Sequence, residues 1–351
     1  MDYHIRLVWL YYATKDTSKV LLFSIFRFCC LLSQHWFFIF PLLGFFIYFL
    51  AVSFILIVKI SMAKTDNSNL QAAKKAKNDE YYTRMCDIEK EMPYHFEQFK
   101  GKTIYLCCDD YRYSNFTKYF KEHFNEIGIN KLICTNYDNG EGSWRYEFDG
   151  EKEDISQLYE NGDFMGIECT LIRNEADIIV TNPPFSQFKN FFAWLLNSEK
   201  QFLVIGNKNA IQWKTVFPFY MEGKVRFGYN SVNKFIAPNG EIANLEGLGR
   251  WFTNMEVYKN NPPLELVEYD EKKHQKYDTF DAINSNSIKD IPDVDCLIGV
   301  PIGIFDYICD SQFEIVGMLC RGSGGIDFAK PILNGKHLYT RIVIRKCPQC
   351  V

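Results

Sequence analysis

The strongest constraint on the fold is a pair of prolines that ends a buried stretch in the middle of the chain. Residues 176–180 are Ala-Asp-Ile-Ile-Val, and four of these five are apolar, which predicts a strand inside a parallel sheet. Pro183 and Pro184 come shortly afterwards, and neither has a backbone N–H to donate to a neighbouring strand. The chain must therefore leave the sheet at Asn182. Ligands bind at this carboxyl edge of an open α/β sheet, so the turn is a candidate site.

The residues after the turn predict a helix and then a second strand. Ser186 is a candidate N-cap, and the apolar residues behind it recur at helical spacing. Those residues are Phe188, Phe191, Phe192, Leu195 and Leu196. Residues 201–205 form another apolar run, which predicts the next strand. Strand, turn, helix and strand make a βαβ unit, so the sequence predicts an α/β fold.

The turn Asn182-Pro183-Pro184-Phe185 suits methyl transfer to an amino group that is conjugated to a ring or a carbonyl. Such a nitrogen is a poor nucleophile because its lone pair is delocalised. The side-chain oxygen of Asn182 and the carbonyl of Pro183 can accept hydrogen bonds from its two protons and orient it towards a methyl donor. Phe185 offers a face on which a base taken out of its helix can stack. The competing interpretation is a plain turn that ends a strand ahead of a core phenylalanine.

This motif resembles the Asn-Pro-Pro-aromatic fingerprint of the amino-directed S-adenosylmethionine-dependent methyltransferases. The chain carries an internal comparison, because residues 261–264 are Asn-Pro-Pro-Leu. That copy lacks the aromatic residue, and no apolar strand precedes it, so we interpret it as a loop. The cysteine-based chemistry of the cytosine ring-carbon methyltransferases is not expected, because no Pro-Cys dipeptide occurs in the chain.

The resemblance narrows at the predicted first strand, residues 102–108, which ends in two aspartates. The glycine-rich loop expected there in a methyltransferase is absent. Instead, Cys108-Asp109-Asp110 is followed by Ser114-Asn115-Phe116, which resembles the EcoRI-type adenine-specific DNA methyltransferases. The resemblance covers most of residues 72–346. It implies a Rossmann-like methyltransferase sheet with a β-rich C-terminal target-recognition part, S-adenosyl-L-methionine as cofactor, double-stranded DNA as substrate, and a restriction-modification role with a possible cognate endonuclease.

The resemblance also implies cofactor-binding residues. They are Tyr81, Tyr82, Thr83, Cys108, Asp109, Asp110, Asp138, Asp163 and Phe164. The alternative for Tyr81 and Tyr82 is that they pack the helix that follows them. The alternative for Asp138, which ends a predicted strand at residues 131–137, is a turn with the Asn-Gly pair behind it. Gly162-Asp163-Phe164 resembles the element that contacts the adenine of the cofactor.

Several other segments carry weaker predictions. Asn207 and Asn209 lie in a polar turn at the same predicted sheet edge as Asn182 and are second-tier candidates. Trp144 and residues 151–154 are predicted to be loop, and Asn334-Gly335 predicts a β-hairpin. Cys347-Pro348-Gln349-Cys350 is a lone C-x-x-C with no partner pair at zinc-site spacing, so no structural metal is expected. The cysteine usage predicts a reducing compartment.

Residues 1–61 differ from the rest of the chain. Residues 28–58 contain no Asp, Glu, Lys or Arg, and residues 36–58 alone are long enough to span a bilayer. One interpretation is an apolar helix that anchors the protein in the membrane, with the catalytic domain in the cytoplasm. The other is that translation begins at Met62. We favour the second, because a hydrophilic start follows Met62 and the enzyme needs no anchor.

The predicted organisation has three parts. Residues 1–61 are the apolar segment, residues 62–210 the S-adenosylmethionine-binding catalytic core, and residues 211–351 the target-recognition part. Without residues 1–61 the chain has 34 Lys and Arg against 41 Asp and Glu, a net charge of −7. This balance argues that DNA would be bound through local basic patches and not through a basic charge spread over the whole protein. The rival functions are an RNA or protein-glutamine methyltransferase, and a non-catalytic, membrane-tethered protein that binds nucleic acid. The favoured prediction is a cytoplasmic adenine-specific DNA methyltransferase.

Overall fold

A computed structural model describes residues 81–347, apart from residues 139, 238, 239 and 323, and gives the backbone alone at 245–248. These residues belong to one compact unit that spans Lys75–Val351. Both interpretations of residues 1–61 lie outside the described residues. Within the described part of the chain, no helix is long and apolar enough to cross a membrane.

Nine strands form a large mixed sheet. They are β1 (Tyr82–Thr83), β2 (Thr103–Leu106), β3 (Lys131–Thr135), β4 (Trp144–Phe148), β5 (Glu153–Gln157), β6 (Ile178–Thr181), β7 (Gln201–Asn207), β8 (Arg226–Ile236) and β9 (Ile242–Thr253). Their spatial order is β1-β8-β9-β7-β6-β2-β3-β4-β5. Strands β7, β6, β2 and β3 pair in parallel, whereas every other pairing is antiparallel.

The strand order places the topological switch point between β2 and β6. From β2 the chain runs outward to β3 on one side, and it later returns to add β6 on the other. Ligands of open α/β sheets bind outside the carboxyl ends of the strands at such a reversal. The predicted Rossmann-like methyltransferase sheet is thus confirmed, and the Asn-Pro-Pro-Phe turn leaves the strand that borders the switch point.

Seven α-helices connect the strands in the described residues. They are α1 (Met85–Glu91), α2 (Phe96–Phe99), α3 (Asn115–Glu122), α4 (Phe124–Ile127), α5 (Ile167–Glu175), α6 (Phe188–Leu196) and α7 (Phe217–Met221). Strand β6 shows why the sheet is buried on both faces. Ile178 and Val180 join one apolar cluster, while Ile179 between them joins the other. Of the five apolar residues predicted on one face of α6, Phe188, Phe191, Phe192 and Leu195 are buried and Leu196 is half-buried.

The C-terminal part adds a four-stranded sheet in the order β10-β11-β15-β12. Its strands are β10 (Ile283–Asn284), β11 (Ile298–Pro301), β12 (Phe313–Leu319) and β15 (Arg341–Lys346). Ile298 of β11 and Ile344 of β15 belong to the same buried cluster as the helix α6 side chains. The two sheets therefore share one apolar core.

The predicted hairpin at Asn334-Gly335 is confirmed. Strands β13 (Ile332–Leu333) and β14 (Lys336–His337) pair antiparallel around it. Asn334 has φ +50° and Gly335 has φ +73°, the left-handed geometry that a two-residue hairpin turn requires.

Two local predictions were wrong. Trp144, predicted as loop, begins strand β4, and of residues 151–154, also predicted as loop, Glu153 and Asp154 begin strand β5 while residues 151 and 152 lie outside the strands. Every residue of β5 is exposed, because β5 is the outermost strand, and such a strand has no apolar pattern to reveal it. Ser186 does not cap α6, because a 3-10 turn at Phe185–Gln187 precedes the helix and neither element has a side-chain cap.

The predicted boundary at residue 210 falls inside the large sheet. Strands β8 and β9 lie beyond that residue, and they complete one side of the sheet by pairing with β7 and with each other. The last strand of the large sheet ends at Thr253, so the C-terminal part begins only after that residue.

Candidate active site

The side-chain amide of Asn182 is held in one orientation. Its Nδ2 donates a hydrogen bond of 2.5 Å to the backbone carbonyl of Tyr81. Its Oδ1 is buried and accepts no hydrogen bond from any residue that the structure describes. A buried acceptor without a donor is costly unless a ligand supplies one. The amide therefore presents a fixed, unused oxygen at the end of β6.

The next residues of the motif include Pro183 and Phe185. Pro183 is buried, and no described residue donates to its carbonyl oxygen. The ring of Phe185 is half-buried and lies between two other rings. Tyr81 is stacked at 5.6 Å between ring centroids with an interplanar angle of 23°, and Phe235 meets Phe185 edge-on at 5.3 Å. The turn thus carries two acceptors without described donors and an aromatic ring that packs against Tyr81 and Phe235.

Residues 81–83 connect the motif to the rest of the sheet edge. Tyr82 and Thr83 pair with Ile236 and Phe235 of β8. The carbonyl of Thr83 accepts a hydrogen bond of 2.8 Å from the Asn115 side chain at the start of α3. The Thr83 hydroxyl is buried and, among the described residues, has no hydrogen-bond partner. A second unused polar atom therefore lies on the segment expected to close over a cofactor.

Asp109 lies at the centre of a buried hydroxyl network at the end of β2. Its Oδ1 accepts from the Ser114 hydroxyl at 2.8 Å, and its Oδ2 lies 2.8 Å from the Thr181 hydroxyl. That hydroxyl is also hydrogen-bonded to the carbonyl of Cys107. Burial raises the pKa of Asp109 to about 7, although the two hydroxyls oppose the shift.

The geometry of this network fits a protonated Asp109. The Thr181 hydroxyl has one hydrogen and two oxygens within reach, on Asp109 and on Cys107. If Asp109 carries a proton, its Oδ2 donates to Thr181, and Thr181 donates to the Cys107 carbonyl. Every polar group in the network then has a partner. Both carboxyl oxygens of Asp109 are used inside the protein.

The other two residues of the acidic turn differ from Asp109. Cys108 is half-buried and has φ +63°, a left-handed conformation in which glycine is the usual residue. Asp110 is bound by Arg112, whose Nε and Nη2 lie 2.9 and 2.6 Å from the two carboxylate oxygens. Arg112 also contacts Glu141 at 3.0 Å, which ties this turn to the loop that follows β3.

Asp138 follows β3 and organises its own loop. Its Oδ1 accepts from the backbone N–H groups of Gly140 at 2.8 Å and Gly142 at 3.0 Å. These two hydrogen bonds, that to Gly140 first, lower the pKa of Asp138. The backbone N–H of Asp138 donates to the carbonyl of Asn161 at 2.8 Å. One carboxylate oxygen of Asp138 therefore stabilises a turn, in agreement with the turn-forming interpretation. The separate hydrogen bond to Asn161 holds residues 161–164 at the edge of the sheet.

The Gly162-Asp163-Phe164 segment lies against the end of β3. Gly162 has φ +73°, and a Cβ there would lie 1.9 Å from the backbone oxygen of Asn136. Asp163 is half-buried and accepts from the backbone N–H of Met165 at 3.0 Å. Phe164 is buried, and its nearest rings are Phe191 at 5.2 Å and Trp194 at 5.7 Å. The backbone of the segment borders the site, whereas the Phe164 ring packs on helix α6.

Three residues that build this site were not predicted from the sequence. Thr181 follows the predicted strand at residues 176–180, Asn136 lies inside the predicted strand at residues 131–137, and Asn115 was named only within the family pattern. The Asn136 side chain donates to the carbonyl of Gly142 at 2.9 Å and accepts from the N–H of Trp144 at 2.9 Å. Polar residues at the carboxyl ends of predicted parallel strands were the available signal for Thr181 and Asn136.

The second-tier candidates divide into two roles. Asn207 caps a 3-10 turn at Lys208–Gln212 by accepting from the N–H of Asn209 at 2.9 Å. Asn209 lines a cleft between the two sheets. The second Asn-Pro-Pro copy is a loop, as predicted, and the Asn261 side chain is used there to donate to the carbonyl of Ile308 at 2.9 Å.

The fold and the site together define a class of protein. A Rossmann-like sheet whose switch point presents a fixed amide oxygen, a free carbonyl and an aromatic face is the arrangement of a methyltransferase that acts on amino groups. The sequence profile of the family described as adenine-specific methyltransferase EcoRI matches residues 69–347. The chain therefore belongs to this family, which confirms the predicted family and, at that level, the predicted DNA methyltransferase function.

Curated relatives agree with this assignment. The chain is 37% identical to the Type II methyltransferase M.EcoRI of Escherichia coli, in a match that covers 80% of this chain and 96% of the relative. It is 35% identical to M.MgeORF184P of Mycoplasma genitalium and 31% identical to M.MpnI of Mycoplasma pneumoniae, both Type II methyltransferases. Each of these matches covers 78% of this chain and 97% of the relative. No solved structure matches the chain significantly.

Proposed function

We propose that this protein methylates the exocyclic amino group of adenine in double-stranded DNA, with S-adenosyl-L-methionine as the methyl donor. The observation that carries the proposal is the buried Oδ1 of Asn182, an acceptor without a donor among the described residues, at the switch point of the sheet. Family membership supports the adenine specificity, because the family is described as adenine-specific.

The residues of the turn act on the amino group of a base rotated out of the duplex. Asn182 Oδ1 and the Pro183 carbonyl accept its two N–H groups, which reduces delocalisation of the lone pair and aims it at the methyl group. The hydrogen bond from Asn182 to Tyr81 keeps the amide from rotating, so the oxygen meets the base without reorganisation. Phe185 stacks on the rotated base. The proton released after transfer passes to water.

The cofactor fits the same edge of the sheet. S-adenosylmethionine supplies a positively charged sulfonium that carries the transferable methyl group. The unused hydroxyl of Thr83 is a donor or acceptor for its methionine end, beside Tyr81 and Tyr82. The second carboxylate oxygen of Asp138 is the candidate for the ribose hydroxyls, and the backbone around Asp163 is the candidate for the adenine. The floor of the proposed cofactor site is formed by Cys108, Asp109 and Asp110. Asp109 contributes to its shape by holding the Ser114 and Thr181 hydroxyls.

The biological role follows from the relatives. Three of them are Type II methyltransferases, so we assign this chain the modification step of a restriction-modification system with a cognate endonuclease. We propose that the protein works in the cytoplasm, because the modification enzyme of such a system needs access to the DNA of its host. Association with a membrane would depend on translation of residues 1–61.

The test follows tritium from labelled S-adenosylmethionine into unmethylated phage DNA. Protein expressed from Met62 contains the whole stretch matched by the family and serves as the enzyme. The DNA is digested to nucleosides, and we expect the label in N6-methyladenine. Asn182→Ala should reduce transfer by at least about 100-fold, since an amide that orients the reacting group contributes on the order of 3 kcal/mol.

Asn261→Ala is the matched control, because it makes the same substitution in the second Asn-Pro-Pro copy. It should leave the transfer rate within about twofold of wild type. Label in cytosine would contradict the adenine assignment. Label in RNA or protein, with none in DNA, would favour the rival substrates. Wild-type activity retained in Asn182→Ala would contradict the assigned role of the amide.

A further inference from the structure

A cleft of about 630 Å³ lies between the large sheet and the C-terminal sheet, with Pro301 and Ile302 in its wall. Its lining includes Asn209, Gln212, Asn286, Arg321, Tyr339 and Arg341. Neither arginine forms an ion pair with a described residue. Amide, guanidinium and tyrosine groups are the side chains that contact phosphates and base edges in protein–DNA complexes. The chemistry of the lining therefore fits a nucleic acid.

Arg341 is the most informative residue of the cleft. Only 9% of it is exposed, yet no described carboxylate pairs with it. Its Nε donates to the Asn284 side chain at 3.1 Å, and its Nη1 donates to the carbonyls of Tyr339 at 3.1 Å and Thr340 at 3.5 Å. All of these acceptors are neutral. A buried guanidinium without a counter-charge is unfavourable by itself. An anionic or electron-rich ligand would complete its coordination.

A fully buried asparagine orients the polar groups of the cleft. Asn284 accepts from both Arg341 and the Tyr277 hydroxyl through Oδ1, the latter at 2.8 Å. Its Nδ2 donates to the side-chain oxygen of Asn286 at 2.9 Å, so the Asn286 amide is fixed as well. Tyr339, by contrast, is 85% exposed at the rim. The cleft is thus held in shape by the core, as sites for specific recognition are.

The position of the cleft connects it to the candidate active site. Strands β6 and β7 are parallel neighbours, and Thr181 pairs with Val204. The chain leaves β6 at Asn182, and the turn that carries Asn209 leaves β7 at the same edge. Strand β7 continues to Asn207, three residues beyond Val204, so the turn with Asn209 begins about 10 Å further along the strand. A duplex rises about 3.4 Å per base pair, so a duplex whose adenine reaches Asn182 has nucleotides a few positions away within reach of the cleft.

We propose that this cleft holds nucleotides a few positions away from the target adenine, with Arg341 and Arg321 as the principal contacts and Asn286, Asn209 and Gln212 as amide contacts. The proposal rests on the proposed function, and it assigns the specificity-determining surface of that enzyme. Each arginine binds either a backbone phosphate or the O6 and N7 atoms of guanine. The two ligands differ in their effect on sequence preference, so the experiment separates them.

The binding experiment uses the full chain and a fluorescent duplex of about 20 base pairs with randomised sequence, titrated between about 50 and 200 mM salt. Arg341→Gln should weaken binding by at least about tenfold, and Arg321→Ala by several-fold. A phosphate contact would also lower the slope of log affinity against log salt by about 1. The matched control is Arg345→Gln, on the same strand as Arg341 but outside the cleft and paired with Glu314 at 2.5 Å. It should bind like wild type.

A second measurement maps the methylated adenines in the DNA of a methylation-free host that expresses each variant. If an arginine binds a guanine base, its substitution should allow other bases at one position of the methylated sequence. If it binds phosphate, every site should be methylated more slowly and the sequence should stay the same. Arg321→Ala and Asn286→Ala change exposed residues, so they test the cleft even if Arg341→Gln does not fold.

The outcomes distinguish the cleft from the reaction. If wild type binds and methylates DNA and the cleft variants match it in affinity, salt slope and methylated sequence, the cleft proposal is overturned while the proposed function stands. If wild type binds single-stranded RNA more tightly than the duplex, or binds no nucleic acid, both proposals fail. Binding of S-adenosylmethionine should be unchanged in all cleft variants, and its loss would assign these residues to the cofactor site instead.

Discussion

Replacing Asp109 with asparagine should make the protein more stable at alkaline pH. Burial raises the pKa of Asp109 from 3.8 to about 7. The native state therefore binds a proton more tightly than the unfolded chain, and wild-type stability falls as pH rises from about 4 to about 7. An asparagine side chain cannot ionise, so the Asp109→Asn variant escapes this loss. The amide oxygen of the new side chain can accept from Ser114 and its nitrogen can donate to Thr181, as the protonated acid does.

The magnitude follows from the difference between the two pKa values. A shift from 3.8 to about 7 corresponds to about 4 kcal/mol once the carboxyl is ionised in both states. Part of this penalty is already present at about pH 5. Between about pH 5 and pH 8, the free energy of unfolding of Asp109→Asn should rise by about 3 kcal/mol relative to wild type.

Urea denaturation at several pH values across this range measures the difference. The free energy of unfolding of wild type is subtracted from that of the variant at each pH. This difference removes the contribution of all other titrating groups, because the two proteins share them. Asp138→Asn is the control, because hydrogen bonds from Gly140 and Gly142 lower the pKa of that aspartate. Its stabilising contribution is complete above the unfolded pKa and is lost only at lower pH, so its difference should be constant from about pH 5 to pH 8. A constant difference for Asp109→Asn as well would refute the protonated network.

Two further predictions concern the cofactor side of the site. Thr83→Val should weaken S-adenosylmethionine binding about tenfold, as measured by calorimetry. The free energy of unfolding should stay equal or rise, because the substitution removes a buried hydroxyl that lacks a partner among the described residues. Unchanged affinity would mean that the hydroxyl contacts no cofactor. Gly162→Ala should lower the free energy of unfolding by at least about 2 kcal/mol more than Gly101→Ala does, as measured by thermal unfolding. Both glycines have a φ close to +70°, but only a Cβ at residue 162 would meet backbone, 1.9 Å away. Equal losses of stability would show that the neighbouring backbone moves aside freely.

The sequence was sufficient for the centre of the fold because the relevant signals are local. A run of apolar residues, two prolines and an amphipathic helix lie within residues 176–196, and each signal predicts the same βαβ unit. The hairpin at Asn334-Gly335 was equally local. Strand β5 was missed because an edge strand need not bury either face, so its residues carry no period-two pattern.

The chemical details of the site were not predictable because they depend on long-range contacts. The partner of the Asn182 amide is Tyr81, 101 residues earlier. Sequence placed Asp109 at the correct edge, but nothing in it shows that hydroxyls from Ser114 and Thr181 would enclose both of its oxygens. The cleft has the same character, since Arg341 and the Asn284 that orients it are 57 residues apart.

The two Asn-Pro-Pro turns of this chain show what converts a short motif into a candidate catalytic group. Both asparagines use their Nδ2 to hold a backbone carbonyl, Asn182 that of Tyr81 and Asn261 that of Ile308. Only Asn182 ends a central strand at the switch point, and only there does an aromatic residue follow the prolines. The carbonyl that holds Asn182 belongs to the segment assigned to the cofactor. If the proposed roles hold, a displacement of residues 81–83 should disturb the Asn182 amide and the cofactor contacts together, so we expect methyl-donor binding and the orientation of the acceptor to be coupled.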